Sequence, residues 1–200
     1  MIKKPKFKIA RRLGAGVFDK TQTPKFSSSS GQFGKGMRRP RALTEYGTQL
    51  LEKQKIRFSY GITERQLSNY VERALATKGG QSADKFWEVL ESRLDNVIYR
   101  MGLAPSRRGA RQMVSHGHFT VDGKRVTIPS MSVRTGQKIA IREGSKSRKI
   151  FAGISERLKE YEAPPWLIFN PESMAGEVKG VPEGRNAFFD LEAVLEFYSR

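Results

Sequence analysis

The 200-residue chain contains no cysteine, which excludes disulfides and thiolate metal sites and suits a reducing compartment. Its two histidines are His116 and His118. That spacing would set two ligands on one face of a strand, but no convincing third ligand accompanies them, so no metal is expected. No run approaches the ~20 apolar residues of a membrane span. No long basic amphipathic helix with an aromatic face points to a membrane surface either. The opening MIKKPKFKIARR is basic without an apolar stretch, unlike a secretory signal. Catalytic machinery is equally scarce. GQFGKG lacks the spacing and the following Ser or Thr of a phosphate-binding loop. No nucleophile stands beside a base. Glu88, Glu91 and Asp95 share a helical face at 3–4 spacing, which suits pairing with arginines better than acid–base chemistry. Neither a catalytic residue nor a cofactor is expected.

Acidic residues are also in short supply. The chain has 20 Asp+Glu against 37 Lys+Arg, a net charge of +17. The imbalance is polarised. Residues 1–44 carry 12 basic side chains and 1 acidic one, residues 45–142 carry 17 and 9, and residues 143–200 carry 8 and 10. Such a surplus calls for a densely negative partner, and nucleic acid fits best.

Apolar periodicity then organises the chain. Residues 1–43 mix Lys and Arg with Gly, Pro and a serine run, which predicts an extended basic arm that orders against a partner. Arg11, Arg12, Lys35, Arg38, Arg39 and Arg41 are its candidate contacts. A helix starts at the N-cap Thr44 and ends near Gly61. A second carries the capping-box pair Thr63 and Gln66, sets Leu67, Tyr70, Val71, Ala74 and Leu75 on one apolar face, and stops at Gly79-Gly80. A third runs from Ser82 to Gly102 with Phe86, Leu90, Leu94, Val97, Ile98 and Met101 at 3–4 spacing. Ser106 caps a short helix on which Arg107, Arg108, Arg111 and Ser115 fall within an arc of about 100°. Ala110, Met113 and Val114 occupy another arc, suited to packing. The period then changes to two. Phe119 and Val121, the turn Asp122-Gly123, and Val126 and Ile128 predict a hairpin, and KIAIR a further strand. A helix with Phe151, Ile154, Leu158 and Tyr161 on one face ends at Pro164-Pro165. WLIF suits a short strand, and DLEAVLEFYSR is ambiguous between helix and strand.

The arginine face is the informative feature. Guanidinium groups stay charged and hydrogen-bond two phosphate oxygens at once, and a helix N-terminus favours an anion near Arg107. Lys124 and Arg125 leave the hairpin turn and extend this surface. One exposed arginine would mean little. A clustered face, a helix N-terminus, hairpin bases and a basic arm together point to phosphate.

Here RLDNVIYRMG, ARQMVSHG, VDGKRV and IPS resemble the RNA-binding module named after the small-subunit ribosomal protein S-four. LEKQKIRFSYGITERQLSNYV, PPWL and FYSR extend the resemblance to the ribosomal family itself, over about residues 44–200. The resemblance implies an α+β protein in which the module is inserted into a mostly helical domain. The expected divisions are an arm at 1–43, a helical domain at 44–85 completed by 185–200, the module at 86–145, and a helix with short strands linking back at 146–184. It also implies a structural constituent of the small ribosomal subunit. Such a protein is a primary binder of 16S-type ribosomal RNA at a 5′-domain multi-helix junction, nucleates assembly and contributes to decoding accuracy. Its partners would be that RNA, neighbouring small-subunit proteins, and messenger RNA where it enters the subunit. The setting would be the ribosome of a bacterial cytoplasm, or of an organelle. The family's RNA-facing positions map onto Arg93, Arg107, Arg108, Arg111 and His116, and in a second region onto Lys53, Lys55, Arg57 and Arg65. Tyr46 and Tyr60 suit packing better than base stacking. Some family members hold zinc through cysteines in the arm, which this chain lacks. RNA-modifying enzymes such as pseudouridine synthases carry the same module, but they need a sizeable catalytic domain that the short flanks here do not supply. A DNA-reading helix-turn-helix would want Asn or Gln beside its arginines, and Gln112 alone is thin support.

Overall fold

A computed structural model of the chain describes residues 5–24, 26, 42–77, 81–159, 161–170 and 173–199. Lys35, Arg38, Arg39, Arg41, the serine and GQFGKG runs, and Gly79-Gly80 lie outside them. In chain order the described helices are α1 (Lys6–Leu13), α2 (Glu45–Tyr60), α3 (Glu64–Leu75), α4 (Ser82–Glu91), α5 (Leu94–Arg100), α6 (Arg107–Ser115), α7 (Glu143–Lys146), α8 (Ile154–Lys159) and α9 (Leu191–Ser199). The strands are β1 (Phe119–Val121), β2 (Lys124–Val126), β3 (Lys138–Ile141), β4 (Leu167–Asn170) and β5 (Ala175–Val178). The architecture is α+β. It divides into two compact units, one made of the described residues up to Phe86 together with those from Arg185 onwards, the other of Trp87–Gly184.

In the first unit, local chemistry sets the helix ends. Thr44 Oγ1 accepts a hydrogen bond from the Gly47 N–H at 3.2 Å, and α2 ends at Gly61 in the left-handed region. Thr63 and Gln66 form a reciprocal capping box at the start of α3. Leu67, Tyr70, Val71 and Ala74 make the buried stripe of α3, whereas Leu75, expected on the same face, is exposed at the last residue of the helix. The ambiguous C-terminal segment is helical. It buries Leu191, Val194 and Leu195 as α9 packs on α2 and α3. Tyr60 is buried with its ring 5.9 Å from that of Phe189.

The arm departs from expectation. Residues 6–13 are helical rather than extended, and two 3-10 turns follow, at Ala15–Val17 and Asp19–Thr21. Ala10, Leu13, Val17 and Phe26 are buried, and Thr21 Oγ1 donates to the Ala15 carbonyl at 2.7 Å. Helix α1 packs on α2. These few apolar residues, brought together by tight turns, bury enough surface to order the segment.

The second unit is built on a five-stranded antiparallel sheet in the order β2-β1-β3-β5-β4. The predicted hairpin is β1–β2, with Phe119 opposite Val126 and both turn residues, Asp122 and Gly123, at positive φ. Phe119, Val121, Ile139 and Ile141 form the core with Leu94, Ile98, Met101, Val114 and Phe151. Strand β5 is not legible in AGEV. Gly176 lets it sit against β4, because a Cβ there would lie 2.6 Å from the Ile168 carbonyl oxygen.

Two expected helices are broken. The third does not run unbroken from Ser82 to Gly102. It stops after Glu91 and restarts at Leu94, with Arg93 extended and bridged to Ser132. The Leu94 N–H donates to Met131, the Asp95 N–H to Pro129, and the Val133 N–H to Ser92. The 129–133 segment thus takes over hydrogen bonds that a continuous helix would make to itself. Likewise the helix expected across Phe151 to Tyr161 is a 3-10 turn, Lys149–Phe151, then Gly153 at φ 71°, then α8.

Candidate nucleic-acid interface

Helix α6 is fixed before its arginines act. Ser106 Oγ accepts from the Gly109 N–H at 3.2 Å, and Ala110, Met113 and Val114 are buried beneath. Its arginines are not equivalent. Arg108 is exposed and has no partner among the described residues. The Arg107 guanidinium lies over the Tyr99 ring at 4.6 Å, donates to Asn96 Oδ1 at 2.7 Å and stands 3.8 Å from Glu91. Arg111 Nε lies 3.1 Å from Asp95 Oδ2. The arc expected to face solvent is therefore graded: Arg107 and Arg111 are half-buried and anchored on an acidic shelf made by α4 and α5. The shelf is dense. Glu91 also receives two hydrogen bonds from Arg100, at 2.8 and 3.0 Å.

Arg93 is a correction. It is 1% exposed and grips Asp95 through two hydrogen bonds, at 3.1 and 2.9 Å. The break between α4 and α5 turns it inwards to neutralise a buried carboxylate, so it offers nothing to a ligand.

His116 is exposed at the C-terminus of α6, whereas His118 is buried beside Ser145, so the two do not form the paired strand face that their spacing suggested. Lys124 and Arg125 are exposed on the hairpin. Arg125 reaches back along Gly117 and donates to the His116 carbonyl at 3.5 Å. The turn itself is pinned. Asp122 Oδ1 accepts from the Lys138 N–H at 2.9 Å and Oδ2 from Gln137 at 2.8 Å, and these bonds hold its carboxyl below the usual range.

In the other unit the predicted basic residues separate in the same way. Lys53 is buried, 2.7 Å from Glu64 Oε1 and 4.4 Å from the centre of the Phe197 ring. Its sequence assignment to an RNA surface fails because α9 covers it. Burial alone would raise the Glu64 carboxyl, but hydrogen bonds from Lys53 and Tyr198, with the charges of Lys53 and Arg57, hold it below the ordinary value. Tyr198 donates to the same oxygen, and burial together with that partner pushes its hydroxyl well up. Lys55 pairs with Glu52 and lies over Phe188, while Arg57 is half-buried beside Gln54 and Glu64. Arg65, Arg11 and Arg12 are exposed. Tyr46 is exposed, but its ring packs on Phe197 at 5.5 Å. The carboxylate partners are visible in the sequence; which lysine and arginine they claim is not.

Basic side chains set at graded depth on a capped helix and a pinned hairpin define an α+β protein with a strongly cationic surface, the kind that suits a nucleic acid. Comparison with known proteins makes the class specific. Residues 92–139 match the S4 domain, and residues 1–91 match the Ribosomal protein S4/S9 N-terminal domain. The chain is 44% identical to the small ribosomal subunit protein uS4 of Roseiflexus sp. (strain RS-1), over 98% of this chain and 97% of that one. It is 43% identical to the uS4 protein of Limosilactobacillus reuteri (strain DSM 20016) and 42% to that of Chloroflexus aurantiacus (strain ATCC 29366 / DSM 635 / J-10-fl), with the same coverage. The chain belongs to the small ribosomal subunit protein uS4 family.

Proposed function

We infer that this chain is a structural protein of the small ribosomal subunit and binds its ribosomal RNA. The observation that carries this is the likeness to uS4 proteins along nearly its whole length. The surplus of cationic side chains on α6 and the β1–β2 hairpin supports it. The family is structural rather than enzymatic, and its bacterial members indicate a ribosome in a bacterial cytoplasm.

The finer reading concerns where and how it binds. Arg108, Arg107 and Arg111, with His116, Lys124 and Arg125, take phosphates of the RNA. Arg65 on α3, and Arg11 and Arg12 on α1, add further contacts. Lys35, Arg38, Arg39 and Arg41 join them from the segment outside the described residues. Lys55 and Arg57 contribute at most their outer edges. The RNA is a multi-helix junction of the 5′ domain, met early in assembly, and A-form geometry makes shape and phosphate position the recognised features. Neighbouring small-subunit proteins and the incoming messenger are the remaining partners, and the contribution to decoding accuracy follows from that position.

A salt titration tests the reading. Binding of the whole chain to the 5′ domain of small-subunit RNA is compared with binding to an unrelated structured RNA of equal length. With six to ten phosphate contacts, affinity falls by about 10³–10⁵ between roughly 50 and 200 mM salt, on the duplex-DNA scale. The expected result is a preference for the ribosomal RNA that persists at high salt. Equal binding to both RNAs, disappearing together as salt rises, would leave only a generic polycation.

A further inference from the structure

We propose that the Trp87–Gly184 unit carries a second phosphate-binding locus, formed by Arg142 and Arg148 with His116 and Arg125, that takes consecutive backbone phosphates of an RNA strand. This rests on the RNA-binding function inferred above and adds two side chains, Arg142 and Arg148, that the α6 and hairpin surface does not include.

The locus is built around His118. The Arg142 N–H donates to the His118 carbonyl at 2.9 Å. Ser145, whose Oγ lies 3.0 Å from His118 Nδ1, donates its N–H to the Arg142 carbonyl at 2.8 Å. Arg148 in turn donates its N–H to the Ser145 carbonyl at 3.0 Å. Three residues spaced by three thus wind around one buried imidazole, and the first and last are arginines. From the other side, the His116 ring lies 5.9 Å from the His118 ring. Arg125 lies so close over Gly117 that a Cβ there would collide with its guanidinium. Four basic residues are therefore set around one buried imidazole, which is backed by Phe151 with its ring edge-on to His118 at 5.7 Å.

The charge at this place is unbalanced. Arg107 and Arg111 rest on Glu91 and Asp95, but no carboxylate among the described residues pairs with Arg142, Arg148 or Arg125. The nearby Glu143 is exposed and engaged by Lys146 at 2.6 Å. Arg142 is half-buried, and its Nε is buried without an acceptor. A partly desolvated guanidinium with no counterion is unfavourable in the free protein. Its balance is restored by an anion from outside, and guanidinium forks match phosphodiester oxygens. The imidazole records the same field. Burial first, then the charges of Arg148, His116, Arg142 and Arg125, hold His118 below its ordinary value. No exposed Phe, Tyr or Trp among the described residues stands in the cluster, and its three guanidinium groups suit the phosphate backbone. The sequence signal is REGSKSRK, Arg142 to Lys149, where four of eight residues are basic and alternate with small ones that let the chain wind tightly.

The test uses the whole chain and the same salt titration with R148Q, R125Q, the double variant R142Q/R148Q and, as a control on the α6 surface, R108Q. Arg148 and Arg125 are exposed, so their variants keep the fold even if removal of half-buried Arg142 does not; thermal unfolding checks this. Removing one phosphate-neutralising charge should reduce the salt slope by about one, so R148Q lowers it by about one and weakens 5′-domain binding roughly tenfold at low salt. R125Q should do likewise, but Arg125 also belongs to the hairpin surface, so the second locus is judged on R148Q. If the wild-type chain prefers the ribosomal RNA and R108Q lowers the slope, while R148Q leaves slope and affinity unchanged, the second locus is wrong and the RNA-binding reading survives. If the wild type shows no preference at all, the underlying function fails instead.

Discussion

Asp95 is 3% exposed and serves two arginines at once, Arg93 through both carboxylate oxygens and Arg111 from α6. Removing one member of a buried ion pair leaves the others charged and desolvated. Asp95→Ala should therefore lower the unfolding free energy by about 3–5 kcal/mol, read as a shift of the urea midpoint at unchanged slope. A change below about 1 kcal/mol, the range of an exposed pair, would show that water reaches these charges. The case also explains what the sequence hides at this scale. Charge sign is written in the residue, but burial is set by the chain around it. Arg93 and Arg108 look alike in SRLDNVIYRMGLAPSRRGARQ, yet the first is interior because the helix breaks beside it. Lys53 is interior because α9, more than a hundred residues on, returns to lie over it. Arg108, Lys124 and Arg125 are exposed as their sequence context suggests, because a capped short helix and a tight turn place them locally.

At the scale of elements the same division holds. Ends made by local chemistry are legible: Thr44, the Thr63–Gln66 box, Ser106 and the Asp122-Gly123 turn all act where their side chains suggest. Ends made by distant backbone are not. The break at Ser92-Arg93 depends on hydrogen bonds to Pro129 and Met131, and β5 exists because β3 and β4 flank it. Apolar spacing of three to four continues across that break, so periodicity alone could not reveal it. The arm shows the converse, since Leu13, Val17 and Phe26 recur more than a free tail requires but without an element's period, and with Ala10 they are buried once turns fold the segment back. Ser106 offers the sharpest test of a local end. Its Oγ satisfies one of the free N–H groups that begin α6, the turn bearing Arg107 and Arg108. Ser106→Ala should destabilise the protein by about 1 kcal/mol in thermal or urea unfolding, and Ser106→Gly by only a few tenths. Equal losses for the two would mean that the cap contributes through packing rather than through its hydrogen bond.

For the whole molecule, the linear polarisation of charge is only slightly softened by the fold, and the unit that carries the arm remains the more basic of two net basic units. The acidic stretch 143–200 is divided between the units at Gly184, so each contains both its basic surface and part of the compensating acid. Within that distribution the buried His118 links stability to pH. Its imidazole is held below the ordinary 6.5, by burial first and then by the surrounding positive charge. The unfolded chain, with its histidine released, therefore binds a proton at a higher pH than the folded chain does. Stability rises with pH wherever the unfolded state holds more protons. The contribution of His118 is thus complete above 6.5 and is lost progressively as the pH falls from 6.5 towards the lowered folded value. Glu64 adds a second loss only further down, below its ordinary 4.5, since its carboxyl is also held low. Urea unfolding at about pH 7.5, 6.5 and 5.5 should give a midpoint that holds between the first two and drops at the third. His118→Gln keeps a polar group near Ser145 but cannot titrate, so it should start from a lower midpoint and lose the drop between the two lower pH values. The same drop in that variant would move the pH dependence to other groups and leave His118 without the part assigned to it.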